Sequence, residues 1–207
     1  MILFFLLINF FYNCYSLNVC VIGASSSLGR EIIYQGLNDY NFNMIGVTKS
    51  PEKVCIPYRG SGLNDKSDKI LIKNDNLKLY TYLDKLPDYD SIIFSIGGTA
   101  FEKLDYSDIL TEKYLNELSK NCKSIHLMSA YGVGDSINGA NLGIVSMRNW
   151  YLKQVYSAKE KQEKLVNNLN KNIKKNIYRP KVLSYGDTFF ESIPRKNMAK
   201  GILENII

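Results

Sequence analysis

Apolar positions along the chain gather into short continuous runs, and longer stretches of helical spacing lie between them. Val19, Cys20, Val21 and Ile22 form the first run, which stops at Gly23. Asn43-Met44-Ile45-Gly46-Val47 reads as a second, Lys69-Ile70-Leu71-Ile72 as a third, Ser91-Ile92-Ile93-Phe94-Ser95-Ile96 as a fourth and Ser124-Ile125-His126-Leu127-Met128 as a fifth. Runs of this length with no polar alternation predict strands buried on both faces of a parallel sheet. Helices are expected over 28–37 and over 106–120, where Leu110, Tyr114, Leu115 and Leu118 recur at helical spacing, and a long helix follows the fifth strand. This alternation predicts an α/β fold, a doubly wound, mainly parallel sheet with helices on both faces, whose ligands bind outside the carboxyl strand ends. Gly23, Lys49, Gly97 and Ser129 would all lie on that edge.

Before the first strand the pattern is different. Residues 1–12 are almost wholly apolar and no charge precedes Arg30. The run is shorter than the roughly 20 residues a bilayer span needs. Small Cys14 and Ser16 suit a cleavage site, although a signal peptide ordinarily opens with positive charge. The expected division is therefore a signal or targeting segment over 1–16 and one folded domain over 17–207, with an uncleaved membrane anchor or an extension of the reading frame as alternatives. A signal would direct the chain to the secretory pathway or a signal-targeted organelle of the plastid type; otherwise a cytoplasmic location is expected.

The stretch Asn18 to Arg30, N-V-C-V-I-G-A-S-S-S-L-G-R, has the form of a strand, a tight turn and a helix start. Small residues here let backbone approach a pyrophosphate, and a helix N-terminus offers N–H groups and a partial positive charge. Gly23 and Gly29 are the outer glycines of a G-x-x-G-x-x-G fingerprint, with Ser26 at the middle position. Gly23, Ser25, Ser26, Ser27, Leu28 and Gly29 are thus the expected pyrophosphate cradle. The competing reading is an ordinary strand-to-helix turn with Ser27 as N-cap.

Other exits from the sheet bear on the same edge. Lys49 follows the second strand, where a dinucleotide fold meets the adenosine ribose and a basic residue accommodates a 2′-phosphate. NADP(H) is therefore expected over NAD(H), with NAD(H) still admissible. Asp75 follows the expected third strand and would contact adenine, or cap the next short helix. The fourth strand ends in Ile96-Gly97-Gly98, a second glycine exit where backbone can approach a cofactor.

Length suits a single core. Lys and Arg number 26 against 20 Asp and Glu, a net charge of +6 that favours anionic partners such as a phosphorylated cofactor. Nucleic acid is not expected, because no compact Arg-rich or aromatic-interleaved patch occurs; the Lys-rich stretch 159–175 reads as a solvated helix face. Four cysteines (Cys14, Cys20, Cys55, Cys122) lack metal-ligand spacing and there is a single histidine, so no metal site is expected. Cys20 and Cys122 should pack as small hydrophobes, and His126, between Ile125 and Leu127, as a buried strand residue.

Five pieces in order carry a family resemblance: G-A-S-S-S-L-G, F-S-I-G-G, L-M-S-A-Y-G-V-G-D-S, the helix Y-S-A-K-E-K-Q-E-K-L, and Y-R-P followed by I-P-R-K-N-M-A-K-G-I-L. The chain resembles the atypical short-chain dehydrogenases, the branch of small NAD(P)-binding Rossmann-fold proteins with NmrA-like and biliverdin-reductase-B-like members. The resemblance implies an NAD(P)-dependent oxidoreductase, with Ser129 after the fifth strand and Lys159 on the long helix as site residues. Lys159 would hold the nicotinamide ribose.

The sequence departs from the family's proton relay. Tyr and Lys of the usual Tyr-x-x-x-Lys pair share a helix face at i and i+4, but the residue four before Lys159 is Val155, and Tyr156 stands only three before it. Tyr156 at i+3, Tyr131 beside Ser129, or solvent could supply the proton. With 15 tyrosines in the chain, one near a lysine carries little weight by itself, and Lys159 could simply pair with Glu163 at i+4. The loop 132–149, with apolar Met147, Trp150 and Tyr151 close by, could cover a substrate.

The expected activity is NADPH-dependent reduction of a small carbonyl, enone or flavin-like acceptor. The alternatives are a non-catalytic NADP(H)-binding redox sensor or assembly module, as NmrA-like relatives suggest, and an NAD-dependent epimerase-like enzyme. A small-molecule substrate of unassigned identity, no stable membrane span unless the N-terminal segment is an anchor, and a monomer or homodimer complete the expectations.

Overall fold

Parallel pairing of short apolar strands organises the chain. The computed structural model describes residues 16–57, 69–81, 86–96, 115, 117, 119, 122–181, 183–184 and 192–207. Six strands, β1 (Asn18–Ile22), β2 (Asn43–Val47), β3 (Leu77–Tyr80), β4 (Ser91–Phe94), β5 (Ser124–Met128) and β6 (Lys174–Tyr178), form one sheet in the order β3-β2-β1-β4-β5-β6. Every pairing in it is parallel. The chain therefore leaves every strand at the same edge, and the winding direction reverses between β1 and β4. In a doubly wound fold that reversal opens a crevice at the carboxyl ends of the strands.

Four helices are described: α1 (Ser27–Asn38), α2 (Leu142–Ser146), α3 (Lys153–Asn168) and α4 (Arg195–Glu204). Successive strand residues point to opposite faces, which divides the core in two. Val19, Val21, Ile93 and Met128 face α1 and α4, packing with Ile32, Ile33, Met198 and Ile202. Cys20, Ile22, Ile92, Phe94, Ile125 and Leu127 face the other way, towards Val166 of α3 and Leu115. Fully burying a side chain such as Ile32 or Phe94 contributes about 1.5–3 kcal/mol each. The expected α/β doubly wound architecture is what the chain adopts.

Helix α1 shows how local sequence fixes its element. Ser26 caps its start, accepting a hydrogen bond from the Gly29 N–H at 2.9 Å, and Leu28, Ile32, Ile33 and Leu37 make its buried stripe. It ends where Asp39 and Tyr40 both donate to the Gln35 carbonyl and Asn41 takes a positive φ of 53°.

One strand assignment is corrected, and a sixth strand is added. The third strand is Leu77–Tyr80, not 69–72. Leu71 forms only an isolated antiparallel bridge with Cys55, and Ile70 and Leu71 stay exposed. The last strand, Lys174–Tyr178, has a polar sequence that gives no apolar run. The expectations for 1–15 lie outside the described residues, as does most of the helix expected over 106–120. No helix among the described residues is long and apolar enough to cross a membrane.

The Lys-rich stretch is not uniformly solvated. Lys161 and Lys164 are exposed on α3, whereas Lys159, Gln162 and Glu163 are buried. Glu163 does not pair with Lys159; it accepts two hydrogen bonds from Arg179, at 2.9 and 2.7 Å. Cys20 and Cys122 are buried free thiols, and burial pushes the Cys122 thiol up to about 11. His126 is fully buried, with one ring nitrogen 3.0 Å from Ser124 Oγ and the other 3.0 Å from the Tyr178 hydroxyl.

Candidate functional site

The exits of β1, β2, β4 and β5 meet at the carboxyl edge of the sheet, and polar side chains cross-link them. Gly23 leaves β1 with φ +87°, and a Cβ there would come within 3.1 Å of both the main-chain nitrogen and Cγ1 of Ile96. A left-handed conformation and close contact with the β4 exit thus both require glycine. Gly29 answers a different demand. A Cβ on it would sit 2.3 Å from the Gly23 carbonyl oxygen, so glycine lets α1 start directly against the turn.

The serines between these glycines lace the turn to its neighbours. Ser25 Oγ lies 2.6 Å from Thr48 Oγ1 at the β2 exit. Ser26 Oγ donates to Ser95 Oγ at 3.2 Å, and Ser95 Oγ lies within 3.1 Å of the Ile22 and Gly23 carbonyls. Ser26 has φ −65° and ψ 156°, an ordinary extended conformation, so the middle position of the fingerprint does not need glycine here. The N-cap is Ser26 and not Ser27, and its hydroxyl is turned into the protein rather than towards a ligand. Its neighbours Ser27 and Leu28 begin the first turn of α1, where backbone N–H groups lack intrahelical partners.

Lys159 reaches the same edge from α3. It is 6% exposed, and its ammonium donates to the main-chain carbonyls of Ile96 and Met128, each at 2.8 Å, and to Gln162 Oε1 at 3.1 Å. It thereby joins the exits of β4 and β5. Beside it, Ser129 donates its N–H to the Tyr178 carbonyl, while its buried hydroxyl has no hydrogen-bond partner among the described residues. An orphaned buried hydroxyl costs on the order of 1–3 kcal/mol, and a bound molecule offering it a partner would recover that cost.

The two candidate tyrosines are committed to backbone. Tyr156 donates its hydroxyl to the Tyr131 carbonyl at 3.1 Å, and Tyr131 donates its own to the Gly139 carbonyl at 2.5 Å. Burial holds the Tyr156 phenol above its ordinary value. Neither proton is directed towards Ser129 or Lys159.

Residues 134–151 are built of a 3-10 turn (Gly134–Gly139), α2 and a π-helical turn (Met147–Tyr151). An ion pair from Arg148 to Glu160 ties them to α3. Trp150 is 87% exposed and Tyr151 is also exposed.

Lys49 is exposed immediately after Thr48 at the β2 exit. Asp75 lies elsewhere. It precedes β3 and lines a cavity of about 300 Å³ with Asn18, Asn43 and Asp88 at the amino-terminal edge of the sheet. The displaced third strand moves it to the end opposite Gly23, which removes it from the adenine position. Gly97 and Gly98 lie outside the described residues. Ser95 and Gln162 were missed in the sequence; for Ser95 the available signal was a hydroxyl between Phe94 and Ile96 at a strand exit. Among the described residues no His, Cys, Asp or Glu group could hold a metal ion.

Solved structures share this arrangement at low sequence identity. ChuY, an anaerobilin reductase from Escherichia coli, superposes with a TM-score of 0.57 at 13% identity, covering 90% of this chain and 89% of its own. A Rossmann-fold NAD(P)-binding family protein from Shigella flexneri gives 0.52 at 17% identity, with 93% and 87% covered. A short-chain dehydrogenase/reductase from Veillonella parvula, determined with NADP, gives 0.55 at 12% identity, with 91% and 86% covered. These likenesses establish the Rossmann-like fold. No protein-family model and no curated protein matches the sequence.

Proposed function

We propose that the protein binds NADP(H) at the exits of β1, β2, β4 and β5 and uses it to reduce a small carbonyl, enone or flavin-like acceptor. The observation that carries this reading is the buried hydroxyl of Ser129, unpartnered among the described residues, on the same sheet edge as a glycine turn that allows close backbone approach. The residues fit a dinucleotide on their own chemistry. Gly23 to Gly29 presents small side chains and the positive end of α1 to a pyrophosphate. Lys49 stands where the adenosine ribose would end. Ile96 and Lys159 would border the nicotinamide ribose, although the ammonium of Lys159 is already engaged by two strand-end carbonyls.

A bound nicotinamide supplies hydride. Ser129 would orient the acceptor by hydrogen bonding to its oxygen or nitrogen, and residues 134–151 would exclude water. Because Tyr156 and Tyr131 both donate to backbone, solvent is the proton source in this reading. The solved neighbours support a reductase: ChuY is an anaerobilin reductase and the Veillonella parvula protein was determined with NADP.

The same tyrosine geometry favours a second reading, an NADP(H)-binding sensor or assembly module without turnover. A fluorescence titration with NADPH and NADH tests the shared premise, and binding of NADPH is the expected result. Failure to bind either would remove both readings. Screening flavins, quinones and aldehydes for NADPH oxidation separates them, since tight binding without turnover favours the sensor.

A further inference from the structure

Helix α1 begins at the glycine turn, and near its start it carries an arginine whose Nε has no hydrogen-bond partner among the described residues. Arg30 follows Gly29 directly. Its Nε is buried without a hydrogen-bond partner, and among the described residues no carboxylate pairs with it. The adjacent acid, Glu31, is turned the other way, towards α4, where it accepts from Gln35 at 2.6 Å; Gln35 in turn donates to the Lys196 carbonyl. A buried guanidinium nitrogen left unpaired is costly, and a ligand that supplies the acceptor would remove that cost.

The direction of Arg30 follows from the helix. Tyr34 at i+4 and Leu37 at i+7 share its face, and both line a groove of about 710 Å³ with Ile56 and residues 69–74. That is the β2 side of α1. The β2 exit is fastened to the same turn: the Val47 carbonyl accepts from the Gly23 and Ala24 N–H groups, and Thr48 meets Ser25. Long helical side chains lean towards their own N-terminus, which carries the Arg30 guanidinium towards this junction of the β1 and β2 exits.

We propose that Arg30 is the cation that reads an adenosine 2′-phosphate at that junction, and that Arg30, more than Lys49, gives the site its preference for NADP over NAD. The inference rests on the dinucleotide reading given above. Guanidinium offers a planar fork that matches two phosphate oxygens at once, whereas an exposed lysine such as Lys49 holds a phosphate only as a flexible point charge.

The test measures NADPH and NADH affinities of the full chain as wild type, Arg30→Gln and Arg30→Lys, with 2′,5′-ADP and 5′-AMP as competitors and a thermal melt as the folding control. Arg30→Gln should lose about tenfold or more in NADPH and 2′,5′-ADP affinity, with NADH and 5′-AMP unchanged within about twofold. Arg30→Lys, which keeps the charge and loses the fork, should fall between and stands in if the glutamine variant does not fold. Equal losses for both nucleotides, or an unchanged NADPH affinity, would overturn the role of Arg30 while leaving dinucleotide binding intact. A wild-type protein that binds neither nucleotide would overturn both.

Discussion

The ammonium of Lys159 donates to the main-chain carbonyl of Met128 at 2.8 Å, and the same nitrogen donates to the Ile96 carbonyl across the gap between β5 and β4. These carbonyls lie at the carboxyl ends of two neighbouring strands, on the edge where a ligand would sit. A lysine there sets the spacing of the strand ends before any cofactor arrives. Replacing Lys159 by Met should therefore cost stability, about 2 kcal/mol or more, because two carbonyls in a buried setting lose their donor. Urea denaturation of the variant reads this directly. A variant of unchanged stability that had lost only nucleotide affinity would show that Lys159 serves the ligand and not the strand ends.

Ser26 makes a separate prediction, since it replaces the expected middle glycine while keeping an extended conformation. Ser26→Ala removes the acceptor for the Gly29 N–H and the bond to Ser95, and should destabilise by about 1 kcal/mol. Ser26→Gly restores the fingerprint letter, yet relieves no strain because φ is already −65°. Glycine is a tolerable cap, so its cost should be only a few tenths of a kcal/mol. Chemical denaturation of both variants distinguishes them; a glycine variant more stable than wild type would mean that the serine is held under strain.

His126 gives the fold an acid-side weakness. Burial, reinforced by Lys174, lowers its pKa from 6.5 to about 4, so the native state favours the neutral ring, which can accept at one nitrogen and donate at the other between Ser124 and Tyr178. Between the two values the unfolded chain binds a proton that the native chain does not. The stabilisation is complete above about pH 6.5 and declines as pH falls towards 4, by about 3 kcal/mol in all. Denaturation midpoints of wild type and His126→Gln across this window should converge as pH falls. A constant difference would mean that the ring titrates normally in the folded chain.

The centre of this sheet was legible in the sequence and its edges were not. Strands β1, β2, β4 and β5 are covered on both sides, so their residues form apolar runs that burial alone demands. Edge strand β3 needs less apolar surface, and Leu77-Lys78-Leu79-Tyr80 looks weaker than the Ile70-Leu71-Ile72 run that drew the assignment away. Strand β6, at the other edge, has no fully buried residue and so shows no apolar run; Lys175 there donates to the Asn167 and Leu169 carbonyls. At the site, the glycines could be read because backbone geometry excludes every alternative at Gly23 and Gly29. The aim of Ser26, Lys159 and Tyr156 could not, because each turns towards a backbone acceptor or hydroxyl that only the folded chain brings near. Asp75 moved for the same reason as β3: its role was tied to a strand end eight residues out of place.

Tyr156 is the residue on which the two functional readings divide. Its hydroxyl donates to the Tyr131 carbonyl, and burial keeps the phenol protonated. Serving as a proton donor would require breaking that bond in every cycle and reorienting the ring. Tyr156→Phe should therefore leave NADPH affinity unchanged and lower any acceptor reduction by less than about tenfold, far short of the 10²–10⁴ that loss of a positioned general acid costs. The loss of one hydrogen bond should appear instead in stability, at about 1 kcal/mol. Steady-state rates over pH 6–9, in the range where a phenol stays protonated, provide the check: a solvent-protonated reduction gives parallel profiles for wild type and variant. A hundredfold fall in kcat with an altered profile would restore Tyr156 as the acid and require the Tyr131 segment to move during turnover.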